Sequence, residues 1–291
     1  MDAEVALQMQ IRPITSDDRE ACARILHEAF TGIADKHNFP PVWTSDGTVQ
    51  YMDHLIGHAN ILGVVAELDG QVVGFNFLRR FDSVRGVGPI CIDPDMQLRG
   101  VGRQLMAAVL GDFKHPSGVR LVQEAYNTAS LSLYASLGFE VKEFLVQVEG
   151  HPGSPVQSHI EVRPYASADA DACAALCKRV YGFERLELRD AVDRFVPMVA
   201  MRGGNVTAYV SHRSLGLGAH GVGASDGDLQ ALISVLGKTN PEPLSFILPL
   251  RRASFFRWCL GQGFRVIKPL TLMALGPYTE PQGCYFPSII Y

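Results

Sequence analysis

The sequence predicts an α/β protein made of two copies of one domain, each a central mixed β-sheet flanked by helices. Three observations predict it. Strand and helix signals alternate through the first half, two marker segments recur in order in the second half, and the 291 residues are 47% hydrophobic and 19% charged, the balance of an ordinary globular chain. At roughly 150 residues per domain, that length accommodates two cores.

The repeat is read first. IRPITSDDREACARIL (11–26) returns as VRPYASADADACAALC (162–177), so that Arg12, Pro13, Ser16, Asp18 and Ala21-Cys22-Ala23 meet Arg163, Pro164, Ser167, Asp169 and Ala172-Cys173-Ala174. Each copy reads as a short strand, a polar cap and an amphipathic helix. LYASLGFEV (133–141) returns as WCLGQGFRV (258–266), with about 26 residues lost between the markers of the second copy. The Gly, Pro, Ser and His of GHPGSPVQSH (150–159) read as a linker, which places a first domain at 1–150, a linker at 151–159 and a second domain at 160–291.

The elements of the first half follow in order. A Thr/Ser/Asp cap precedes apolar residues at helical spacing over 17–30. The prolines of ADKHNFPPVWTSDG then argue for a loop, and a second helix is expected over 48–58. GVVAEL and QVVGFNFL, split by Asp69-Gly70, form a hairpin. GVGPICI (86–92) is a third β-rich run whose Gly-Pro interior predicts a bulge or a place where another backbone comes close. A helix runs to about 113, a strand over 119–125, a helix over 128–137 closed by Gly138, and a last strand over 139–148. The order is β-α-α-β-β-β-α-β-α-β.

Composition excludes several classes. A net charge of −4 with no basic block interleaved with aromatics gives no field for nucleic acid. The N-terminal residues lack the basic and apolar regions of a signal peptide, and no apolar run reaches the roughly 18 residues of a membrane span. Six cysteines in a chain this long do not form a disulfide framework, and Cys173 and Cys177, one helical turn apart, lack partners at metal-site spacing. They read as small buried hydrophobes in a reducing cytoplasm. The expected protein is cytoplasmic, metal-free, and a monomer or homodimer.

Chemistry concentrates in DPDMQLRGVGRQLMAAVL (93–110). Two glycines without Cβ atoms let successive backbone N–H groups converge on phosphate oxygens, and the following helix points its N-terminal N–H groups the same way. The G-x-x-x-x-G-K-[ST] of a P-loop is absent. A G-x-G-x-x-G dinucleotide site is disfavoured, because Gly100-Val101-Gly102 continues without a third glycine and Asp93–Arg99 separate it from the strand. What fits is Q/R-x-x-G-x-G/A, met at Gln97, Gly100 and Gly102.

Three matches in chain order carry a resemblance: VGPICIDP, QLRGVG, and Asn127 followed by Tyr134 and Gly138-Phe139. With them, residues 9–149 resemble a GNAT (GCN5-related) N-acetyltransferase. Ser130 stands where that family's segment has alanine. The second half resembles the family weakly. It carries Asp226 and Asp228 where the phosphate loop would be and Cys259 at the tyrosine position, as in tandem proteins with a degenerate second domain and no second coenzyme.

The resemblance implies acetyl-CoA as co-substrate, lying in an opening between the fourth and fifth strands. Backbone groups of Ile90, Cys91 and Ile92 would pair with the pantetheine arm. Gln97, Leu98, Arg99, Gly100, Val101, Gly102 and Arg103 would hold the pyrophosphate, with Arg99 and Arg103 adding charge or lying as solvated surface. Asn127 and Ser130 would line the arm, or Asn127 would cap its helix. Tyr134 would protonate the departing thiolate unless it is a core-edge tyrosine. For the proton of the amine, Glu124 is the first candidate, with Glu67 and Asp82 behind it; each is also readable as plain surface. Cys91 has no His fixed beside it and does not read as a nucleophile. AFTGIADKHNFPPVW (29–43), with His37, Phe39 and Trp43, is either an acceptor wall or a packed lid. The expected activity is transfer of an acyl group, acetyl first, to an amine of a small molecule or peptide by direct attack in a ternary complex. The alternative is an acyl-CoA-binding sensor or scaffold without turnover.

Overall fold

In the computed structural model the described residues are 9–41, 43–97, 99–111, 117–153, 159–185, 188 and 195–291. They fall into two compact units, 1–80 with 85–115, and 81–84 with 116–291.

The first unit opens with β1 (Met9–Pro13), a 3-10 turn (Ser16–Asp18), α1 (Arg19–Lys36) and α2 (Ser45–Gly57). α1 runs longer than expected. Ala34, Asp35 and Lys36, which the prolines argue into a loop, form its last turn, because Pro40 and Pro41 restrict only the residues next to them. Thr44 starts α2 by accepting a hydrogen bond from Gly47 N at 3.2 Å. β2 (Ile61–Leu68), β3 (Gln71–Arg79) and β4 (Arg85–Ile92) follow, and β1 to β4 form an antiparallel meander in chain order. Asp69 (φ 49°) and Gly70 (φ 77°) make the two-residue turn of the β2–β3 hairpin, both with the positive φ that its twist demands. The predicted bulge is present on β4. Asn76 pairs with Ile90 but Leu78 pairs with Val87, which leaves one extra residue at Gly88-Pro89. α3 (Val101–Leu110) closes the unit. It lies close to β3 because Gly74 has no side chain: a Cβ there would stand 3.2 Å from Leu105 Cδ1 and 2.9 Å from the Cys91 carbonyl oxygen.

The second unit contains β5 (Val119–Glu124), α4 (Thr128–Ser136), β6 (Glu140–Gly150), β7 (Glu161–Pro164), a 3-10 turn (Ser167–Asp169) and α5 (Ala170–Tyr181). It continues with β8 (Met198–Arg202), β9 (Asn205–Val210), β10 (Gly221–Gly223), α6 (Asp226–Thr239), β11 (Leu244–Pro249), α7 (Ala253–Gly261), β12 (Arg265–Leu275) and β13 (Cys284–Phe286). The strands lie in the orders β5-β12-β6-β11 and β13-β10-β9-β8-β7. These ladders are antiparallel, and a parallel bridge joins Leu215 to Ser245. The two cores of the unit are built around Phe246, Phe255 and Phe286, and around Tyr181, Tyr285 and Leu270, all of them essentially buried.

The first of these sheets is an exchange between the two sequence copies. β12, the last strand of the second repeat, lies between β5 and β6 of the first, and β6 lies between β12 and β11. The registers are equivalent under the 125-residue spacing of the repeat: Glu124 pairs with Leu270 as Pro249 pairs with Leu145, and Val119 with Leu275 as Leu244 with Gly150. The bonds just beyond the strands repeat too, Ala125 N to Pro269 O at 3.1 Å and Leu250 N to Phe144 O at 2.9 Å. The β8–β9 hairpin likewise repeats β2–β3, with Gly203 and Gly204 at positive φ in the turn and a bulge at Ala200/Met201 matching that at Ala66/Glu67. Gly-Gly between two β-rich runs is the local signal for this hairpin.

The shared R-P-x-x-S-x-D string has a structural cause. Arg12 clamps Asp18 with two bonds of 2.8 Å, and Arg163 clamps Asp169 with two of 2.7 Å, tying each strand to the start of its helix. Asp18 also accepts from Thr15 N at 2.8 Å, and Asp169 accepts from Ala166 N at 2.8 Å. The arginine bonds hold both carboxyls below the usual Asp range, although burial opposes them. Stability from these pairs is therefore present above the ordinary Asp pKa and is lost as pH falls through the lowered folded values. Asp169→Asn is expected to lower unfolding free energy by about 1–2 kcal/mol at neutral pH, on the low side because the arginine is screened by solvent. Urea midpoints of the variant and the parent should converge as pH falls below the ordinary Asp range; an equal gap at every pH would remove the charge from the account.

All six cysteines are free and buried, and Cys173 and Cys177 both sit on the inner face of α5. Of the linker, residues 154–158 lie outside the described residues. No helix among the described residues is long and apolar enough to cross a membrane.

Candidate active site

In the first unit, Asp93 follows β4 and accepts from Asp95 N at 3.1 Å, opening a 3-10 turn at Pro94–Met96. Arg24 of α1 holds the other Asp93 oxygen at 3.2 Å. The chain then reaches Gly100, the residue that caps α3, at φ 81° and ψ −1°. This is the left-handed region, which a side chain enters at a cost of about 1–2 kcal/mol. Among the described residues no atom beyond its chain neighbours comes within 4 Å of where a Gly100 Cβ would be. No side chain caps α3 and no acid lies in its first turn. The first N–H groups of the helix thus keep their positive end for an outside anion. Val101 and Gly102 are buried, while Gln97, Arg99 and Arg103 are exposed around them; Leu98 lies outside the described residues. Ile90 and Ile92 are half-buried and Cys91 is buried. These features suit the pyrophosphate and arm of coenzyme A. Burial pushes the Cys91 thiol well up, so it stays protonated and is no nucleophile.

Helix α6 of the second unit is built the opposite way. Ser225 caps it, accepting from Asp228 N at 3.2 Å while its hydroxyl donates to Asp228 at 2.6 Å. Asp226 and Asp228 supply acid in the first turn and are paired with Arg252 and Arg202. Its N-terminus thus meets a serine cap and two carboxylates of the chain itself. The edge of β10 is occupied as well: Gly221, Val222 and Gly223 pair with Phe286, Tyr285 and Cys284 of β13. β13, a run of three residues, is too short to carry a periodic signal of its own.

In the second unit, Asn127 caps α4, its Oδ1 accepting from Ser130 N at 3.1 Å. Of the two roles left open for Asn127, the structure displays the cap. Tyr134 is buried on α4, its ring 6.1 Å from that of Phe139. Glu124, at the end of β5, is 6% exposed and ion-pairs through Oε1 with Lys268 Nζ of β12, itself 1% exposed. It is therefore not the surface carboxylate that composition alone favoured. Burial raises its pKa above the usual Glu value, and Lys268 pulls it back. Sequence reasoning missed Lys268. A single lysine inside VIKPLTLMAL was the available signal, since a strand that apolar hides any charge it carries. The repeat places Pro249 at the position of Glu124 and Cys259 at that of Tyr134, and burial pushes the Cys259 thiol up to about 12.

The remaining candidates have other occupations. Glu67 bonds Arg12 at 2.7 Å, which ties β2 to β1. Asp82 is buried in the second unit. Trp43 stacks on Tyr51 of α2 with ring centroids 4.7 Å apart, and burial pushes the Tyr51 hydroxyl up to about 12, so this part of the expected wall is packed. Among the described residues no group of three or more His, Cys, Asp or Glu could hold a metal ion.

Comparison with known proteins gives a consistent picture. Residues 59–141 match the family model of the acetyltransferase (GNAT) domain. Over 134 residues, 45% of this chain and 77% of the relative, the sequence is 29% identical to the N-alpha-acetyltransferase RimI of Mycobacterium tuberculosis (strain ATCC 25618 / H37Rv). Among solved structures, a protein of Pyrococcus horikoshii described as a candidate acetyltransferase aligns with TM-score 0.74 at 16% identity, covering 97% of this chain and 94% of that one. A tandem GNAT protein from the clavulanic acid biosynthesis pathway aligns with TM-score 0.60 at 12% identity, covering 94% and 100%. At such identities the structural likenesses speak for the fold, and they extend it over both halves.

Proposed function

We propose that this chain, a member of the GNAT acetyltransferase family, transfers an acetyl group from acetyl-CoA to a primary amine of a small molecule or peptide, by direct attack in a ternary complex and at one site per chain. The observation that carries the proposal is the contrast between the halves. The first has an uncapped α3 behind a left-handed glycine, together with Tyr134 and Glu124. The second has a capped, acidic α6, with Pro249 and Cys259 at the corresponding positions. The functional division is that of the repeat: 1–150 catalytic, 151–159 linker, 160–291 degenerate.

The residues take the following roles. Backbone N–H groups at 99–103 hold the pyrophosphate, with Arg99 and Arg103 adding charge. The backbone of Ile90–Ile92 pairs with the pantetheine arm. Glu124 takes the proton of the ammonium group, and the freed amine nitrogen attacks the thioester carbonyl carbon. As the C–S bond breaks, Tyr134 donates its proton to the sulfur and recovers one from the new amide nitrogen. Glu124 then releases its proton to solvent, so that each turnover yields amide, free thiol and one proton.

Thiol release from acetyl-CoA, measured across a panel of primary amines and N-terminal peptides, tests the reading. Amine-dependent release that saturates in both substrates is expected. Coenzyme binding with no release on any amine would favour the sensor reading instead.

A further inference from the structure

We infer that Lys268, carried by the last strand of the second half, is a positioning residue for the first half's reaction: it holds one oxygen of Glu124 so that the other faces the amine proton. This rests on Glu124 being the proton acceptor. The geometry supplies three reasons. Glu124 Oε1 is bonded to Lys268 Nζ, whereas Oε2 is buried with no hydrogen-bond partner among the described residues. A buried carboxylate oxygen left without a donor is a costly arrangement unless a substrate or a water supplies one. Second, a buried ion pair adds little net stability compared with an apolar pair of the same size, so the core alone does not call for it. Third, the pair is not repeated. Under the 125-residue spacing Lys268 corresponds to Glu143 and Glu124 to Pro249, so the second half has no carboxylate at that strand end. Glu143 is instead answered by Arg251 and Tyr285.

The electrostatic surroundings of Glu124 are simple. On β5, Arg120 is engaged with Tyr291. On β12 the other charge is Arg265, which is exposed, and α4 carries no charged residue. On β6, Glu143 faces Arg251, Lys142 faces Glu140 at 2.5 Å, and Glu149 is exposed. Lys268 is the charge that acts on Glu124, and it opposes the upward push of burial. Without it burial would push the carboxyl further up, toward the protonated form that cannot accept a proton.

The test compares the full-length parent with Lys268→Met, Lys268→Arg and Glu124→Gln. The Glu124 carboxyl is followed by carbon NMR titration, assigned by its loss in Glu124→Gln, and kcat/KM is followed against pH. In Lys268→Met, both the Glu124 titration and the acidic limb of kcat/KM are expected to move up by at least about one pH unit. That variant should lose about ten-fold in kcat/KM on the acidic limb and regain it at higher pH, with acetyl-CoA affinity unchanged. Lys268→Arg should restore both positions. A folded Lys268→Met protein whose Glu124 titration stays in place overturns the proposal alone. A moved titration with an unmoved kinetic limb overturns it through the role of Glu124. A parent inactive on every amine overturns the transferase reading and this proposal with it.

Discussion

Gly100→Glu is expected to abolish coenzyme binding while the protein stays folded. The parent should bind one acetyl-CoA per chain by titration calorimetry, and the variant none, a loss of at least about 100-fold. Two effects add. Gly100 sits at φ 81°, where a non-glycine residue costs about 1–2 kcal/mol. The new carboxylate would also project into the open space in front of the α3 N-terminus, meeting the phosphates as a like charge and satisfying the helix end in their place. Gly100→Ala separates the two effects, since it adds strain without charge and should weaken binding far less. Unchanged affinity in Gly100→Glu would remove the phosphate-loop assignment. A parent that binds two coenzymes per chain would contradict the reading of α6 and β13 as a closed counterpart.

Tyr134→Phe is expected to lower kcat by about 10²- to 10⁴-fold, the range for loss of a positioned acid, with acetyl-CoA affinity changed by no more than a few-fold. The ring is buried against Phe139, and phenylalanine preserves that packing, so a fall in turnover reports the hydroxyl rather than the fold. The effect should shrink with acyl donors whose thiol is more acidic, because such a leaving group needs less help from a proton. Wild-type turnover in Tyr134→Phe would end the acid role and leave Tyr134 as a core residue.

The candidate site was legible wherever a local string carries its own physics. Gly100 and Gly102 signal a helix start, Asp69-Gly70 a hairpin, Gly88-Pro89 a bulge and Gly138 a helix stop, and each does so within a few residues of its effect. The repeat likewise pointed to two copies, and the Arg12–Asp18 and Arg163–Asp169 pairs give its first marker a structural cause. The end of α1 is not legible from its prolines, because Pro40 and Pro41 restrict only the residues next to them. Glu124 was singled out by its place at a strand end, but its burial and its partner were not visible. Lys268 lies 144 residues away in sequence.

What the sequence by itself determined is the order of the elements in the first half and the kinship of the two halves. Those properties arise from interactions between residues a turn or a hairpin apart, so a short window contains all the terms. Only the tertiary structure decided which strands pair. It inserted β12 between β5 and β6, laid β13 along β10 and brought Lys268 to Glu124. The physical reason is that strand pairing is carried by backbone groups every residue possesses, and by alternating apolar faces that many strands share. Partner choice is therefore settled by how the whole core closes.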